Sequence, residues 1–505
     1  MRDFASTPEP AGRVHVNESV RLRFAIQRHR ATRLHYDVRL EVEGVLVSWA
    51  VPKGPSLDPK RRSLAVKVED HPFTYGWFEG VIPSGYGKGD VILWDDGWWE
   101  PDPSYEQDDP ETCIDNGEIK VVLHGHKVRG RFVLVRTNDD QWLMIHKRDD
   151  DAVEGWDAEQ HPHSVLTGRT NDEVVAKKLP RWPAPTEAQL RALNEMPDKK
   201  GTWTIDGLSG PVELQLTNLD KVFMPGRDGD APITKRDIIR YYAQIAPWIA
   251  PYVVGRPINL NRFPDGIVGT KRGFWHKAVP DHAPDFVRRW PNPRASEDET
   301  RDYLLLDGAP SLVWAANFAG IEIHPWTSSA ANPDEPSYAL IDIDPGPKTT
   351  WDETVALASM FRVAVQQLDI VACAKVTGQR GIQIWIPIAP GYTFEDTSRW
   401  VETLSRTVGR VYPELVSWSW RKDDRKGLAR LDYTQNQINK TLVAPFSMRP
   451  AAGAPVSMPI GWDELDDPEL RPDRWTILDA IDRLERVGDP FAALFGVSQQ
   501  LPPLA

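Results

Sequence analysis

Cysteine is scarce: the 505 residues contain two, Cys113 and Cys373. They are too few and too far apart for a disulfide framework or a cysteine-rich zinc site, so a reduced, cytoplasmic setting is expected. Positive charge is not in excess either. Sixty Lys and Arg stand against 73 Asp and Glu, a formal net charge of -13, which excludes a uniformly basic nucleic-acid coat and leaves local basic patches open. No segment holds about 18 uninterrupted apolar residues, and MRDFASTPEPAGR at the N-terminus lacks the apolar stretch of a leader, so neither a membrane span nor a secretory signal is expected. Internal repeats and low-complexity tracts are absent as well. What is present is a globular composition, 41% hydrophobic and 26% charged with 21 tryptophans, on a chain long enough for two or three domains at roughly 150 residues each.

The first part of the chain, residues 1–160, is punctuated by short alternating runs: HYDVRLEV, VLVSWAVP, LAVKVED, DVILWDD, IKVVLHG, RFVLVR and WLMIHKR. Turn chemistry separates them, as in Lys53-Gly54-Pro55, Pro83-Ser84-Gly85 and Asp96-Gly97, and a small β-barrel or sandwich is the economical reading. Residues 161–212 are polar and Pro-rich (PRWPAPT, DKKGT) and read as a linker. From 213 to 505, helical stretches such as TKRDIIRYYAQIAPWIAPYV and WDETVALASMFRVAVQQL alternate with strand-like YALIDID, IVACAKVTG and IQIWIPI, which predicts an α+β or α/β domain.

Two groups of residues carry chemistry. In RHRATRLHYDVRL, a strand from Leu34 places His35, Asp37 and Arg39 on one face and Leu34, Tyr36, Val38 and Leu40 on the other. If His29 folds back across the turn, two imidazoles and a carboxylate form a triad suited to Mn²⁺ or a similar divalent ion. The planar fork of Arg39 suits a pair of phosphate oxygens, and Lys53, Glu69, His71 and Tyr75 follow nearby. Six arginines between Arg21 and Arg39 favour a polyanionic ligand. The bland alternative is a polar sheet face.

The second group is acidic. YALIDIDPGP sets Asp342 and Asp344 two apart at a strand end, with Ile341 and Ile343 facing the core, and Asp432 in LARLDYTQN ends another apolar run. Three such carboxylates are what a two-metal phosphoryl-transfer site needs. Arg421, Lys422, Arg425, Lys426, Arg430 and Arg449 supply counter-charge, and the Gly-bounded loop Thr377-Gly378-Gln379-Arg380-Gly381 can cradle phosphates with its amides. A solvated strand end beside a basic face is the alternative.

FAIQRHRATRLHYDVRLEVEGVLVSWAVPKGPSLDP and EDHPFTYGWFEGVIPSGYGKGDVILWD resemble the 3′-phosphoesterase module of the bacterial DNA ligase D family. From about Gln215 to Leu501, LTNLDKVFMP, RPINLNRFPDG, GFWHKAVPDHAPDFV, IEIHPW, YALIDIDPGP, LARLDYTQN and VAPFSMRPAAGAPVSMPIGWDEL resemble the family's primase-type polymerase module. The resemblance implies a multidomain protein, a small β-barrel phosphoesterase followed by an α+β archaeo-eukaryotic primase-like domain. It implies Mn²⁺ or another divalent cation at both sites, held by His29, His35 and Asp37 in the first and by Asp342, Asp344 and Asp432 in the second. Arg39, His71 and Tyr75 fall on the family's phosphate-binding and catalytic positions, with Lys53 and Glu69 in support. Thr377, Arg380, Gln435 and Arg449 fall where the incoming nucleoside triphosphate is held, and Lys221 and Lys235 where a 5′-phosphate at a gap is received.

The implied work is 3′-end trimming and gap filling in non-homologous end joining, on DNA ends and gapped duplex, with the end-binding protein Ku as partner. No lysine begins a K-x-D-G motif, so a separate ATP-dependent ligase is the expected sealing partner and no membrane is involved. One position departs from the family pattern: Gln383 stands where a histidine is expected. Gln donates a hydrogen bond but cannot become cationic, so a weakened polymerase, or a domain that holds DNA ends while the phosphoesterase alone is active, is the alternative. A hydrolase of small phosphate esters is a third.

Overall fold

The computed structural model describes residues 21–504 apart from 86, 270, 271, 293, 294, 296–301, 420, 422 and 441. Lys422, one of the basic residues noted above, lies outside the described residues. The chain divides into two units, Met1–Pro180 and Arg181–Ala505.

In the first unit, nine strands alternate apolar and polar residues as a one-sided sheet requires: β1 (Leu22–Arg30), β2 (Leu34–Val42), β3 (Val45–Val51), β4 (Ser63–Pro72), β5 (Gly80–Ile82), β6 (Gly89–Pro101), β7 (Glu118–Gly125), β8 (Arg129–Asn138) and β9 (Gln141–His146). Eight of them run β1-β2-β3-β4-β9-β8-β7-β6 and close by pairing β6 with β1, while β5 adds to β6. Closure removes the free sheet edges. The interior is filled by Tyr36, Val38 and Leu40 from β2 with Trp49, Trp94, Trp99 and Trp142, so the alternation read from sequence places His35, Asp37 and Arg39 outside the barrel. Glu43 (φ 48°) and Gly44 (φ 80°) form the two-residue turn between β2 and β3, both left-handed as a tight hairpin needs.

The Pro-rich stretch 161–212 is not a free linker, and the expected boundaries move. Residues up to 180 belong to the barrel unit: Val165 N–H donates to Leu93 O (2.9 Å), and the buried Asn171 amide reaches Asp90 Oδ2 (2.8 Å) and accepts from Arg28 Nη1 (2.6 Å). Residues from 181 begin the second unit, with a helix Glu187–Glu195 and a hairpin of Lys200–Gly207 and Gly210–Thr217. Trp182, Trp203 and Ile205 of this stretch are buried in its core beside Leu214 and Leu216. A few large apolar residues anchor a segment whose average composition is that of a linker.

The second unit contains two five-stranded sheets. One has Pro257–Arg262 at its centre, paired to Phe274–His276, Asp302–Leu305 and Gly320–Pro325, with Arg289–Pro291 beyond. The other runs Arg430–Asp432, Tyr338–Asp344, Ile382–Pro387, Cys373–Val376, Met458–Ile460. Helices Lys235–Val253, Trp351–Gln367 and Phe394–Gly409 form where helical periodicity predicted them, each opened by a threonine capping box. Ile341 and Ile343 are buried as expected. Trp385, which alternation puts on the opposite face from Ile384, is also in the core, because Ile382–Pro387 is buried on both faces. Among the described residues no helix is long and apolar enough to cross a membrane.

Candidate active sites

In the barrel unit the β1–β2 register sets His29 directly opposite His35 and Gln27 opposite Asp37, so His29 comes back across the turn. The rings lie 4.7 Å apart. His29 Nδ1 is 3.6 Å from Asp37 Oδ2 and His35 Nε2 is 3.5 Å from Asp37 Oδ1. The other ring nitrogens donate outward, His29 Nε2 to Gly87 O (2.9 Å) and His35 Nδ1 to Arg33 O (2.9 Å). Those bonds leave His29 Nδ1 and His35 Nε2 turned toward Asp37, the arrangement metal-ligating histidines adopt. One donor atom from each of the three residues lies within 4.8 Å of the others, and the donor set, two imidazoles and a carboxylate, fits a divalent cation. Burial would raise the Asp37 pKa, but Arg39 and the two imidazoles bring it down to about 2.

Arg39 is the brace of this site. It is 2% exposed, and its Nε donates to Gln27 Oε1 (2.8 Å), Nη1 to Ser48 Oγ and His71 Nδ1 (both 2.8 Å) and Nη2 to Asp37 Oδ2 (2.9 Å). Four of its five N–H groups are thereby used. The expectation that its fork takes a pair of phosphate oxygens does not hold for this arrangement, which leaves one N–H. His71 Nδ1 also sits 2.8 Å from Glu69 O, and one ring nitrogen cannot accept from Arg39 and donate to a carbonyl together. Its tautomer therefore depends on which partner it serves. Tyr75 stacks on His71 at 5.1 Å and lies 5.2 Å from the Arg39 guanidinium. Lys53 is exposed just beyond β3, with Arg61 Nη2 donating to its carbonyl (2.6 Å), and does not join the cluster. Sequence reasoning missed Gln27, whose buried amide donates to Tyr75 O (2.9 Å) and Phe78 O (3.0 Å) and so ties the covering turn to β1.

In the second unit, register brings four residues into one row across the sheet. Asp432 lies opposite Asp342, Asp342 opposite Gln383, and Gln383 opposite Lys375. Directly opposed residues share a face, so Gln383 points at the acids: its Nε2 donates to Asp342 Oδ1 (3.1 Å), while its buried Oε1 has no partner. Asp432 accepts from Arg430 Nη2 (3.2 Å), Thr434 Oγ1 (2.6 Å) and Gln435 Nε2 (3.4 Å), and Asp344 from Arg425 Nη1 (3.4 Å). Desolvation, with Asp432 and Asp344 adding to it against the Gln383 bond, pushes the Asp342 pKa up to about 7. Among the described residues, His29, His35 and Asp37 converge as a ready metal cluster and these three aspartates do not; a divalent cation drawing them together would relieve the repulsion.

The nucleotide-holding candidates are partly assembled. Thr377 Oγ1 accepts from Gly381 N–H (3.1 Å), closing the loop, and Arg380 Nη2 turns back to Gly346 O (2.8 Å) instead of standing free. Arg449 spans the two sheets, with Nη1 on Thr377 O (3.0 Å), Nη2 on Gln379 Oε1 (2.6 Å) and Nε 2.5 Å from Glu322 Oε1. Burial would raise the Glu322 pKa, and His324 and Arg449 lower it to about 2. Asn259 faces His324 and Asn261 faces Glu322 across the strands. Both Asn259 amide atoms, Asn261 Oδ1 and both His324 nitrogens are buried without a hydrogen-bond partner. Trp275, 48% exposed, meets the His324 ring edge-on at 4.7 Å. Buried donors and acceptors without partners thus lie close to an exposed indole. These residues, and Lys375, escaped sequence reasoning beyond the IEIHPW, RPINLNRFPDG and GFWHKAVPDHAPDFV motifs that contain several of them.

Lys221 and Lys235 are brought together, Lys235 N–H donating to Lys221 O (2.9 Å). Both ammonium groups already have acceptors, Lys221 Asp265 Oδ1 (2.9 Å) and Lys235 Thr217 O (2.8 Å). Burial, and then Lys221, pull the Lys235 pKa down to about 8.

Comparison with known proteins follows this division. Residues 27–136 match the DNA Ligase D 3′-phosphoesterase domain, and residues 234–491 the LigD primase-polymerase domain. The chain belongs to the LigD family. It is 42% identical over 232 residues to the multifunctional non-homologous end joining protein LigD of Pseudomonas aeruginosa, covering 41% of this chain and 26% of that protein. It is 28% identical over 298 residues to the bifunctional LigD of Bacillus subtilis, covering 58% and 46%. The LigD fold of the second unit is seen in the polymerase domain of Mycobacterium tuberculosis Ligase D solved in complex with DNA. That structure aligns with a TM-score of 0.51 at 28% identity, over 57% of this chain and 99% of that one. The chain spans less than half the length of these two curated relatives. It carries the family's phosphoesterase and primase-polymerase domains in that order.

Proposed function

We propose that this LigD chain prepares and extends DNA ends in non-homologous end joining, the barrel trimming 3′ termini to a hydroxyl and the second unit adding nucleotides to it. The trimming reading is carried by the paired tautomers of His29 and His35 around Asp37. A divalent cation there, Mn²⁺ in our reading, would polarise a phosphoryl oxygen and lower the pKa of a bound water. Arg39 holds Asp37 and His71 in register. His71, whose Nδ1 either accepts from Arg39 or donates to Glu69 O and whose proton can therefore sit on either ring nitrogen, is placed to move a proton at the terminal ribose or phosphate, with Tyr75 stacked behind it. The single remaining N–H of Arg39 and the ammonium of Lys53 at the rim serve the phosphate.

The extension reading is carried by the row Asp432, Asp342, Gln383, Lys375. Cations held by Asp342, Asp344 and Asp432 would lower the pKa of the 3′-hydroxyl and neutralise the leaving pyrophosphate. Arg449 and the Thr377–Gly381 loop hold the triphosphate, Gln435 supports Asp432, and Arg380 stiffens the strand end. The unpaired groups of Asn259 and His324 receive the sugar and Trp275 the base. Lys221 and Lys235 exchange their present acceptors for a 5′-phosphate across the gap. Ku, a separate ligase and nucleoid location complete the proposal.

Gln383 motivates a second reading, in which the unit holds DNA ends without catalysis. A gapped duplex ending in a 3′-monoribonucleotide, incubated with Mn²⁺ and nucleotides, separates the two. His35→Ala should stop trimming and spare extension, and Asp342→Ala should do the reverse. DNA binding without incorporation under any metal would leave the second reading standing.

A further inference from the structure

Lys375 ends the row that carries the extension reading but has no role of its own in it. Its side chain is fully buried at 0% exposure, yet among the described residues its ammonium donates to a hydroxyl, Ser457 Oγ at 2.7 Å. Burial and the nearby Arg449 press its pKa well down, and Asp342 pulls it up, so a charged amine at this place depends on negative charge held close to it. Two features say which anion. Lys375 is two strands from Asp342 on the same face of the sheet, with Gln383 between them. Its other side adjoins the phosphate-cradling loop, for it immediately precedes Val376 and Thr377, and the Gly378 position lies against Val456, the residue before Ser457.

We propose that Lys375 couples cation binding at the aspartates to the arrival of a triphosphate, an inference that rests on the polymerase reading. In the empty site its positive charge balances the carboxylates at a distance and opposes a divalent cation entering alone. A triphosphate brings more negative charge than the cation neutralises, so the same ammonium then favours the metal–nucleotide pair. Gln383 is neutral and its amide is committed to Asp342, which leaves Lys375 as the cation of this row. The loaded site is thus selected over the metalled but empty one.

The sign change makes the idea testable. In the two-unit chain carrying His35→Ala, which removes the first site from the measurement, Mn²⁺ binding is followed by electron paramagnetic resonance with and without ATP. Adding Lys375→Met should tighten Mn²⁺ binding without ATP by about fivefold and weaken ATP binding in Mn²⁺ by about tenfold, so the coupling collapses. Lys375→Arg should retain the coupling, and Lys375→Gln, which still donates to Ser457, should follow Met. A residue that merely fills space would change the melting temperature and leave both affinities moving together or not at all, and that result overturns the proposal. If ATP has no effect on Mn²⁺ binding in the His35→Ala parent, the polymerase reading fails and takes this inference with it.

Discussion

At the level of single residues, charge burial is where function departs from stability. Asp342 titrates near 7 because desolvation and its two acidic neighbours oppose its ionisation. Its folded value lies above that of the unfolded chain, so metal-free protein loses stability as pH rises from about 4 to about 7. In EDTA at pH 7.5, Asp342→Asn should therefore be more stable than wild type by about 1–3 kcal/mol, with the difference gone near pH 4. Identical melting at both pH values would contradict the assignment. Asp37 has the opposite sign. Held down to about 2, chiefly by Arg39 against its own burial, it contributes stability above about pH 4 that is lost as pH falls through about 2. Arg39→Lys cannot reproduce four directed bonds from one planar group, and should cost about 2–4 kcal/mol in thermal unfolding and at least about tenfold in trimming.

His35, Asp37 and Arg39 were legible from sequence because a strand has a period of two. Asp342 and Asp344 were legible for the same reason. Gln27 and Lys375 were not, since a lone polar residue within an apolar strand carries no sign that a neighbouring strand will set it beside a catalytic group.

At the level of elements, turns decide what the strands present. Gly378 has φ 73°, and a Cβ there would lie 2.7 Å from Arg449 Cγ and 2.9 Å from the Val456 carbonyl carbon. Gly378→Ala should therefore displace Arg449 and raise KM for nucleotide while leaving trimming intact, with about 1–2 kcal/mol of lost stability. The misread segment 161–212 shows how composition misleads. Its proline and charge content are those of a linker, but Asn171 closes hydrogen bonds across the barrel end, and Trp182 and Trp203 fill the next core. A chain ending at 160 should lose the bonds of Asn171 and the Arg169–Glu79 ion pair (2.7 Å) and melt well below one ending at 180. Equal melting by circular dichroism would restore the linker reading. The strand and helix runs were legible because their periodicities are strong. The three-residue strand β5 and the covering turn Phe73–Trp77 were not, because they are held by Gln27 and by pairing to β6.

At the level of the whole molecule, the proposed function makes the two units' chemistries successive, since a 3′-hydroxyl left by one would be the nucleophile the other requires. A net charge of -13 means that binding DNA depends on local cations, and the affinity for gapped duplex should fall steeply with added salt. The central claim is that each unit has its own cation site, one of imidazole and carboxylate, the other of carboxylates alone. Crystals grown with Mn²⁺ and ATP and measured at the manganese absorption edge test it directly. Anomalous peaks between His29, His35 and Asp37 and among Asp342, Asp344 and Asp432 are the predicted result, and peaks at neither place, with those side chains turned apart, would contradict it.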